Sequence, residues 1–365
     1  MTKIAFQSNQ LSMTGTEVAL YDYAVHNETL LGNKSIVIYD KNNPNNEKFT
    51  TDKFSKRFDT FAYGDISELD SILKKTNSQL LYAIKSGQKD NVLSLQIPTM
   101  VHAVFPTNPL QIHGASYAYI SDWLSRNCSQ GKIPTVPHIV DLPNVNGTLR
   151  ESLGIPENAL VIGGFGGQHS FDIPFAISAV VKLLEQNKSI YFLFMNFNEF
   201  IRHPRAFFLP GTPEINQKVK FINSCDAMLH ARRQGESFGL ACGEFSIKNK
   251  PIITCSLGKH THHIETLGSK GFYYDSEDSL IEIIKQLPKQ LIKDSNWDCY
   301  SDKYNPQIVM TAFNEKLIQP ALRNLQLNRP NISIGWSDYI SYLKFRWNMH
   351  KDHRKSISKD GLRIK

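Results

Sequence analysis

Two carboxylates, Glu236 and Glu244, bracket Ser237-Phe238-Gly239 in the stretch 231–250, ARRQGESFGLACGEFSIKNK. Arg232 and Arg233 stand just upstream. A glycine turn that opens a helix leaves free backbone N–H groups and a positive dipole end, which suit a phosphate. Glu244, expected about two turns into that helix, can accept hydrogen bonds from vicinal hydroxyls. Phosphate donors beside hydroxyl acceptors are what a sugar nucleotide requires. The same glutamates also read as ordinary helix-start acids stabilised by the dipole, and either arginine as a solvated charge. The elements around the stretch have to decide.

Those elements follow one grammar, repeated. Residues 3–8 (KIAFQS) read as a strand, 9–16 as a polar loop, 17–31 as an apolar-patterned helix, and 35–39 (SIVIY) as a buried parallel strand. That unit has the length of a βαβ crossover. Gly15 in its first turn lets the backbone approach a ligand, or simply makes the turn. Asn42 to Lys53 reads as an exposed loop. Further strands are expected at 60–63, 79–83, 100–105 and 116–120, with a helix at 66–75. Apolar strands alternating with helices imply a parallel sheet covered on both faces, with ligands beyond the carboxyl ends of its strands. That rule puts His102, His113-Gly114 and Ser121-Asp122 near one rim.

The proline-rich run 134–143 (PTVPHIVDLP) reads as a connector. After it the grammar restarts: a strand at 159–163, the glycine run 163–167, a helix at 172–184, strands at 190–194, 219–222, 227–230 and 252–255, and a helix at 276–286. The expected fold class is α/β, with two Rossmann-like parallel-sheet domains facing a cleft. The expected boundaries are 1–138, 139–304, a further helix at 305–325, and an aromatic and basic extension at 326–365. Within that extension Trp336, Ile340, Leu343 and Trp347 form a stripe at the helical period. Its first reading is packing on the body; its alternative is a helix lying on an anionic membrane surface or docking a partner.

Composition excludes several classes. No apolar run of membrane-spanning length occurs, and the N-terminus MTKIAFQSNQ has no signal-peptide core. The five cysteines are scattered without CxxC spacing, so free thiols in a reducing compartment are expected. Of the net charge of +7, +6 falls in residues 341–365, leaving the body nearly neutral. A body-wide polyanion surface, and hence nucleic acid as a partner, is not expected. The expected location is the cytoplasm, with the basic tail available for peripheral membrane contact. His260, His262 and His263 could form a metal tract or face donor or solvent; no metal is expected.

With these features in place the chain resembles a GT-B glycosyltransferase of the retaining family 4 type, over roughly residues 1–325. The resemblance is carried by the Gly15-Thr16-Glu17 loop, His102 after a strand of the first domain, the opening VIGGFGGQHSFDI of the second, and the E-x7-E stretch from Glu236 to Glu244 followed by KPIIT. It implies a metal-independent, retaining hexosyltransferase without a cofactor, using a UDP- or GDP-sugar donor and a glycan, lipid or protein acceptor. The helix at 305–325 is then the one that crosses back to the first domain. It also implies roles: Glu244 on the donor ribose, Glu236 and His102 as catalytic residues at the donor sugar, and Ser237, Phe238 and Gly239 with Gly166 and Gly167 near the diphosphate. Gly15, Thr16 and Glu17 would belong to the acceptor side.

One departure stands out. Members of that family carry an arginine and a lysine after the first strand of the second domain to neutralise the diphosphate. Gly164 and His169 occupy those places here. Arg232, Arg233, Lys259, His260 or a protonated His169 are the candidate substitutes. Three classes of function remain open: a sugar transferase; a GT-B sugar-nucleotide epimerase or nucleic-acid base glucosyltransferase; and a degenerate, non-catalytic binding protein.

Overall fold

The β-branched and aromatic runs that alternate with amphipathic stretches form two parallel sheets, each in its own compact unit. The computed structural model describes residues 1–359. One unit comprises residues 1–139 and the C-terminal part from residue 303; the other comprises residues 140–302.

The first unit begins with β1 (Lys3–Ser8), α1 (Gly15–Thr29) and β2 (Lys34–Asp40). Next come α2 (Lys48–Arg57), β3 (Asp59–Tyr63), a 3-10 turn leading into α3 (Leu69–Lys75), and β4 (Leu80–Lys85). β5 (Thr99–Ala103), β6 (Ser116–Tyr119) and α4 (Asp122–Ser129) complete this part. The sheet order is β3-β2-β1-β4-β5-β6, with every pair parallel. β1, β2 and β4 are wholly buried along their centres, as strands with helices on both faces must be. α2 starts inside the stretch expected to be a loop: Thr50 and Phe54 turn inward on a helix that also carries Lys48, Asp52, Lys53, Lys56 and Arg57. His113-Gly114 also departs from expectation. Gly114 lies against Thr99 at the amino end of β5, where a Cβ would meet the Thr99 carbonyl at 2.7 Å. It therefore sits at the opposite end of the sheet from Ser121-Asp122, which follow β6.

The second unit runs β7 (Leu160–Phe165), α5 (Pro174–Gln186), β8 (Ile190–Met195), β9 (Ala206–Leu209), α6 (Ile215–Ser224) and β10 (Ala227–His230). It continues through β11 (Gly235–Glu236), α7 (Leu240–Ile247), β12 (Ile252–Cys255), β13 (His260–Thr261), α8 (His262–Leu267) and β14 (Phe272–Tyr274). α9 (Glu277–Lys285) and α10 (Lys289–Asp294) follow, and α11 (Ser301–Tyr304) begins at the end of this unit. Its main sheet is ordered β9-β8-β7-β10-β12-β14, the same relative order as the first, while β11 and β13 form a separate short pair. The run VKFI at 219–222, expected as a strand, lies within α6, and the sheet position goes instead to β9. A short apolar run is ambiguous between strand and helix; here Val219, Phe221 and Ile222 are buried from one side of a helix. The five cysteines are free.

From residue 303 the chain packs on the first unit again. α12 (Pro306–Phe313), a π-helical turn (Asn314–Ile318) and α13 (Gln319–Arg323) make one nearly continuous run. Phe313 stacks on Tyr23, with ring centroids 5.0 Å apart, and the Ser116 hydroxyl donates to the Leu317 carbonyl. α14 (Trp336–Lys359) closes the described chain. Its stripe does not pack on the body, contrary to the first reading. Trp336 and Trp347 are each 72% exposed, and the docked side is carried by Asp338 and Phe345 instead. The end of the basic tail, residues 360–365, lies outside the described residues.

Candidate functional site

In each sheet the order reverses direction between two neighbouring strands, β1 and β4 in one, β7 and β10 in the other. The loops leaving the carboxyl ends of such a pair diverge and leave a crevice for ligand. In the second unit these are the glycine loop after β7 and the stretch 231–239 after β10, which leads into α7.

Backbone geometry fixes the second of these loops. Gly235 has φ +67°, and a Cβ there would meet the His260 carbonyl oxygen at 2.1 Å. Only glycine lets β11 lie beside β13. Gly239, with φ +92°, precedes α7 in the left-handed region, where a Cβ would stand 2.9 Å from His263 Cβ. Phe238 is buried, stacked on His262 and edge-on to Tyr300. The chain thus turns sharply and delivers Glu236 before the helix and Glu244 within it. Glu244 is the fifth residue of α7, little more than one turn in, because the helix starts at Leu240.

Glu236 sits at the centre of a polar network. Arg232 Nη1 donates to both of its oxygens at 3.0 and 3.1 Å, and His230 Nε2 lies 3.2 Å from Oε1. Behind it, His230 Nδ1 and His263 Nε2 both reach the Thr254 hydroxyl, at 2.8 and 3.0 Å. Burial alone would raise the Glu236 carboxyl. The hydrogen bond to His230 and the charge of Arg232 outweigh burial and hold it down to about 2. Burial drives His263 well below its ordinary value. Glu236 is therefore a fixed, ionised acceptor.

Glu244 is 3% exposed. Its Oε1 accepts from Lys218 Nζ of α6 at 2.5 Å, while its Oε2 is buried with no hydrogen-bond partner. The same ammonium lies 5.4 Å from the ring centre of Phe165, the last residue of β7. Phe165 in turn stacks on Phe245 of α7, centroids 5.8 Å apart. β7, α6 and α7 thus converge on one carboxylate with an unused acceptor.

The other expected residues are placed as follows. Gly166 is packed so closely that a Cβ would lie 2.5 Å from Ser170 Oγ, while Gly167 is open. Gly164 lies inside β7, where a Cβ would meet the Leu229 carbonyl at 2.7 Å, so this position holds no long side chain. His169 is exposed and shares a hydrogen bond with Asn198. Arg233 is tied to Asp172 through its backbone N–H, 2.7 Å from Oδ1, and by a 3.4 Å contact of its guanidinium with the Asp172 carbonyl. Ser237 is buried and Lys259 half-buried. His260 pairs with Gln234. Among the described residues, no cluster of three or more His, Cys, Asp or Glu is arranged to hold a metal ion.

His102 and Gly15-Thr16-Glu17 belong to the first unit. His102 is wholly buried, Nδ1 2.8 Å from the Tyr82 hydroxyl and Nε2 2.8 Å from the Val136 carbonyl. The carbonyl can only accept, so Nε2 carries the proton and Tyr82 donates to Nδ1. Burial holds this ring down to about 4 despite the carbonyl's opposing pull. Both nitrogens are in use, and the side chain has no surface to offer a ligand. Glu17 likewise turns inward, accepting from the hydroxyls of Ser8, Ser12 and Thr14; burial still raises it. Gly15 is the first residue of α1, in open space.

Sequence reasoning missed Lys218, His230, Thr254 and Asp172. Lys218 was obscured because the adjoining 219–222 read as a strand; a helix there would have turned a lysine toward the end of β7.

No protein-family model matches the chain, and no curated protein matches it significantly. Solved structures do. A glycosyltransferase from Rickettsia africae aligns over 98% of both chains at 13% identity with a TM-score of 0.60. HepE from Anabaena, solved with UDP-glucose, aligns over 96% of this chain and 100% of its own at 15% identity and TM-score 0.59. The fold is GT-B. A putative UDP-N-acetylglucosamine 2-epimerase from Listeria monocytogenes also shares it, with 10% identity, coverage of 85% and 94%, and TM-score 0.53. At these identities the likeness speaks for the fold. Within a GT-B fold, the Glu236 network and the Lys218–Glu244 pair lie in the second Rossmann-like unit, at its switch point.

Proposed function

We propose that the protein is a glycosyltransferase of the retaining, family 4-like type, drawing on a nucleotide-sugar donor held by the second unit. The observation that carries this reading is Glu244: a buried carboxylate with one oxygen unpartnered, beside the glycine loop at the switch point of a GT-B fold. Vicinal ribose hydroxyls are the donors such an oxygen lacks. UDP is favoured over GDP because HepE, of the same fold, was solved with UDP-glucose.

In this reading Glu236 accepts from a hydroxyl of the donor sugar and fixes its orientation, with Arg232 and His230 keeping it ionised. The C1–O bond to the β-phosphate breaks, the sugar passes through an oxocarbenium-like state, and the acceptor oxygen bonds C1. The leaving phosphate takes the acceptor's proton. Charge growing on that phosphate is met by the Phe238-Gly239 and Gly166-Gly167 amides and the start of α7. Arg232, shared with Glu236, supplies the nearest cation in place of the family's arginine. His102 acts as scaffold here, and transfer needs no metal. The acceptor is a glycan, lipid or protein.

Thermal-shift titration with UDP, GDP and their sugars, followed by donor hydrolysis in EDTA, tests this. UDP is expected to raise the melting temperature of the wild type, and Glu244→Gln to need about tenfold more UDP for the same rise. Absence of any nucleotide effect would overturn the donor site. Nucleotide binding without turnover on any donor would favour a non-catalytic binding protein, the reading that the paired state of Arg232 and the glycine at 164 keep in contention.

A further inference from the structure

α14 is docked on one side and bare on another. On the docked side Asp338 is fully buried, bonded at 2.8 Å both to Lys132 and to the Gly335 backbone N–H, and Phe345 packs edge-on against Trp123 at 5.4 Å. These contacts hold the helix to the first unit through α4. The other side carries Trp336 and Trp347, each 72% exposed, with Ile340 at 50% and Leu343 at 47% between them. The four recur at intervals of four, three and four residues, so they form one line about 16 Å long. Indole rings left in water in such a line mark a surface that something covers.

The sequence says what kind of surface. Lys351 and Arg354 continue the same spacing after Trp347, and residues 341–365 carry +6 in all. A second copy of the chain would bring an equal positive charge to the contact. A nucleic acid would satisfy the charge but has no use for an aliphatic pair flanked by tryptophans along a helix. Tryptophan favours the headgroup level of a bilayer, and a helix with an apolar line and a basic continuation lies in that interface rather than across it. Among the described residues no helix is long and apolar enough to cross a membrane.

We propose that α14 docks the protein on an anionic lipid surface, with the Trp336–Trp347 line at headgroup level and the basic residues that follow on the lipid phosphates. This inference is independent of the glycosyl-transfer reading. It gives the chain a fixed attachment whatever its donor or acceptor.

The test uses the full chain with vesicles of phosphatidylcholine alone and with one-third phosphatidylglycerol, read by co-sedimentation and tryptophan emission. Trp123 and Trp297 are already buried, at 4% and 9% exposure, so a blue shift reports Trp336 and Trp347. The wild type should bind the anionic vesicles with a blue shift and bind neutral vesicles at least tenfold more weakly. Each cation near an anionic leaflet strengthens binding about fivefold, so Lys351→Gln with Arg354→Gln should weaken it about twenty-five-fold. Trp336→Ser with Trp347→Ser should abolish co-sedimentation while melting as the wild type does; Ile340→Ser, a milder change on the same line, should weaken it. Failure of the wild type to bind anionic vesicles, equal binding to neutral ones, or full binding by the tryptophan variant would overturn the proposal. So would a dimer, seen by light scattering without lipid, that the tryptophan substitutions dissociate.

Discussion

Lys218→Met isolates the interaction that readies Glu244. The ammonium stands 2.5 Å from Glu244 Oε1, the two side chains are 13% and 5% exposed, and the second oxygen has no partner. Methionine keeps the unbranched stem as far as Cε and removes the ammonium with its hydrogen bond to Glu244. Stranding one member of a buried ion pair costs about 3–5 kcal/mol. The residual exposure of Lys218 puts the expectation at the lower end, about 3 kcal/mol. Adding Glu244→Gln removes the stranded charge, so the double variant should lie within about 1 kcal/mol of the wild type, a coupling of at least about 2 kcal/mol once the cost of Glu244→Gln alone is counted. Urea denaturation of the four proteins measures this. UDP titration of the same four adds a functional reading. Either single change should weaken UDP about tenfold, and the double variant should be no weaker than Glu244→Gln alone, because the lysine acts through the carboxylate. Additive stabilities, within about 0.5 kcal/mol, would refute the claim that this pair is one unit. A Lys218→Met protein with unchanged UDP affinity would refute its part in the site.

Two further outcomes follow from ionisation. His102 is held down to about 4 from an ordinary 6.5, so its folded-state advantage is complete above pH 6.5 and is lost as pH falls toward 4. The stability gap between wild type and His102→Gln should shrink by about 3 kcal/mol between pH 7 and pH 4 in urea denaturation; a gap that stays level would show the ring is not sealed. Glu236 is held at about 2 from 4.5, so its contribution is present above pH 4.5 and is lost as pH falls through 2. Relative to Glu236→Gln, about 2 kcal/mol should disappear by pH 3, and no change over that range would refute the Arg232–His230 clamp.

Much of the fold was legible because its cause is local. Runs such as SIVIY and YFLF are apolar on both faces and have one use in an α/β protein, a buried parallel strand. Gly239 and the glutamates on either side of it, Glu236 and Glu244, mark a turn and a helix start at the right place. The VKFI run at 219–222 misled because four apolar-patterned residues satisfy both periods; what decided for α6 was which side of it the sheet covered.

The sequence by itself determined the two-sheet α/β plan, the position of the E-x7-E turn, and the concentration of positive charge in the last residues. Only tertiary structure decided how the charged groups pair. Lys218 reaches Glu244 across 26 positions, and Arg232, named as a candidate for phosphate, is bound to Glu236. It also decided that His102 faces Tyr82 and Val136, and that the tryptophans of α14 point away from the body. The physical reason is common to these cases. Periodicity fixes which residues share a face, but a face is covered, and a charge is matched, by whatever distant segment the fold brings against it.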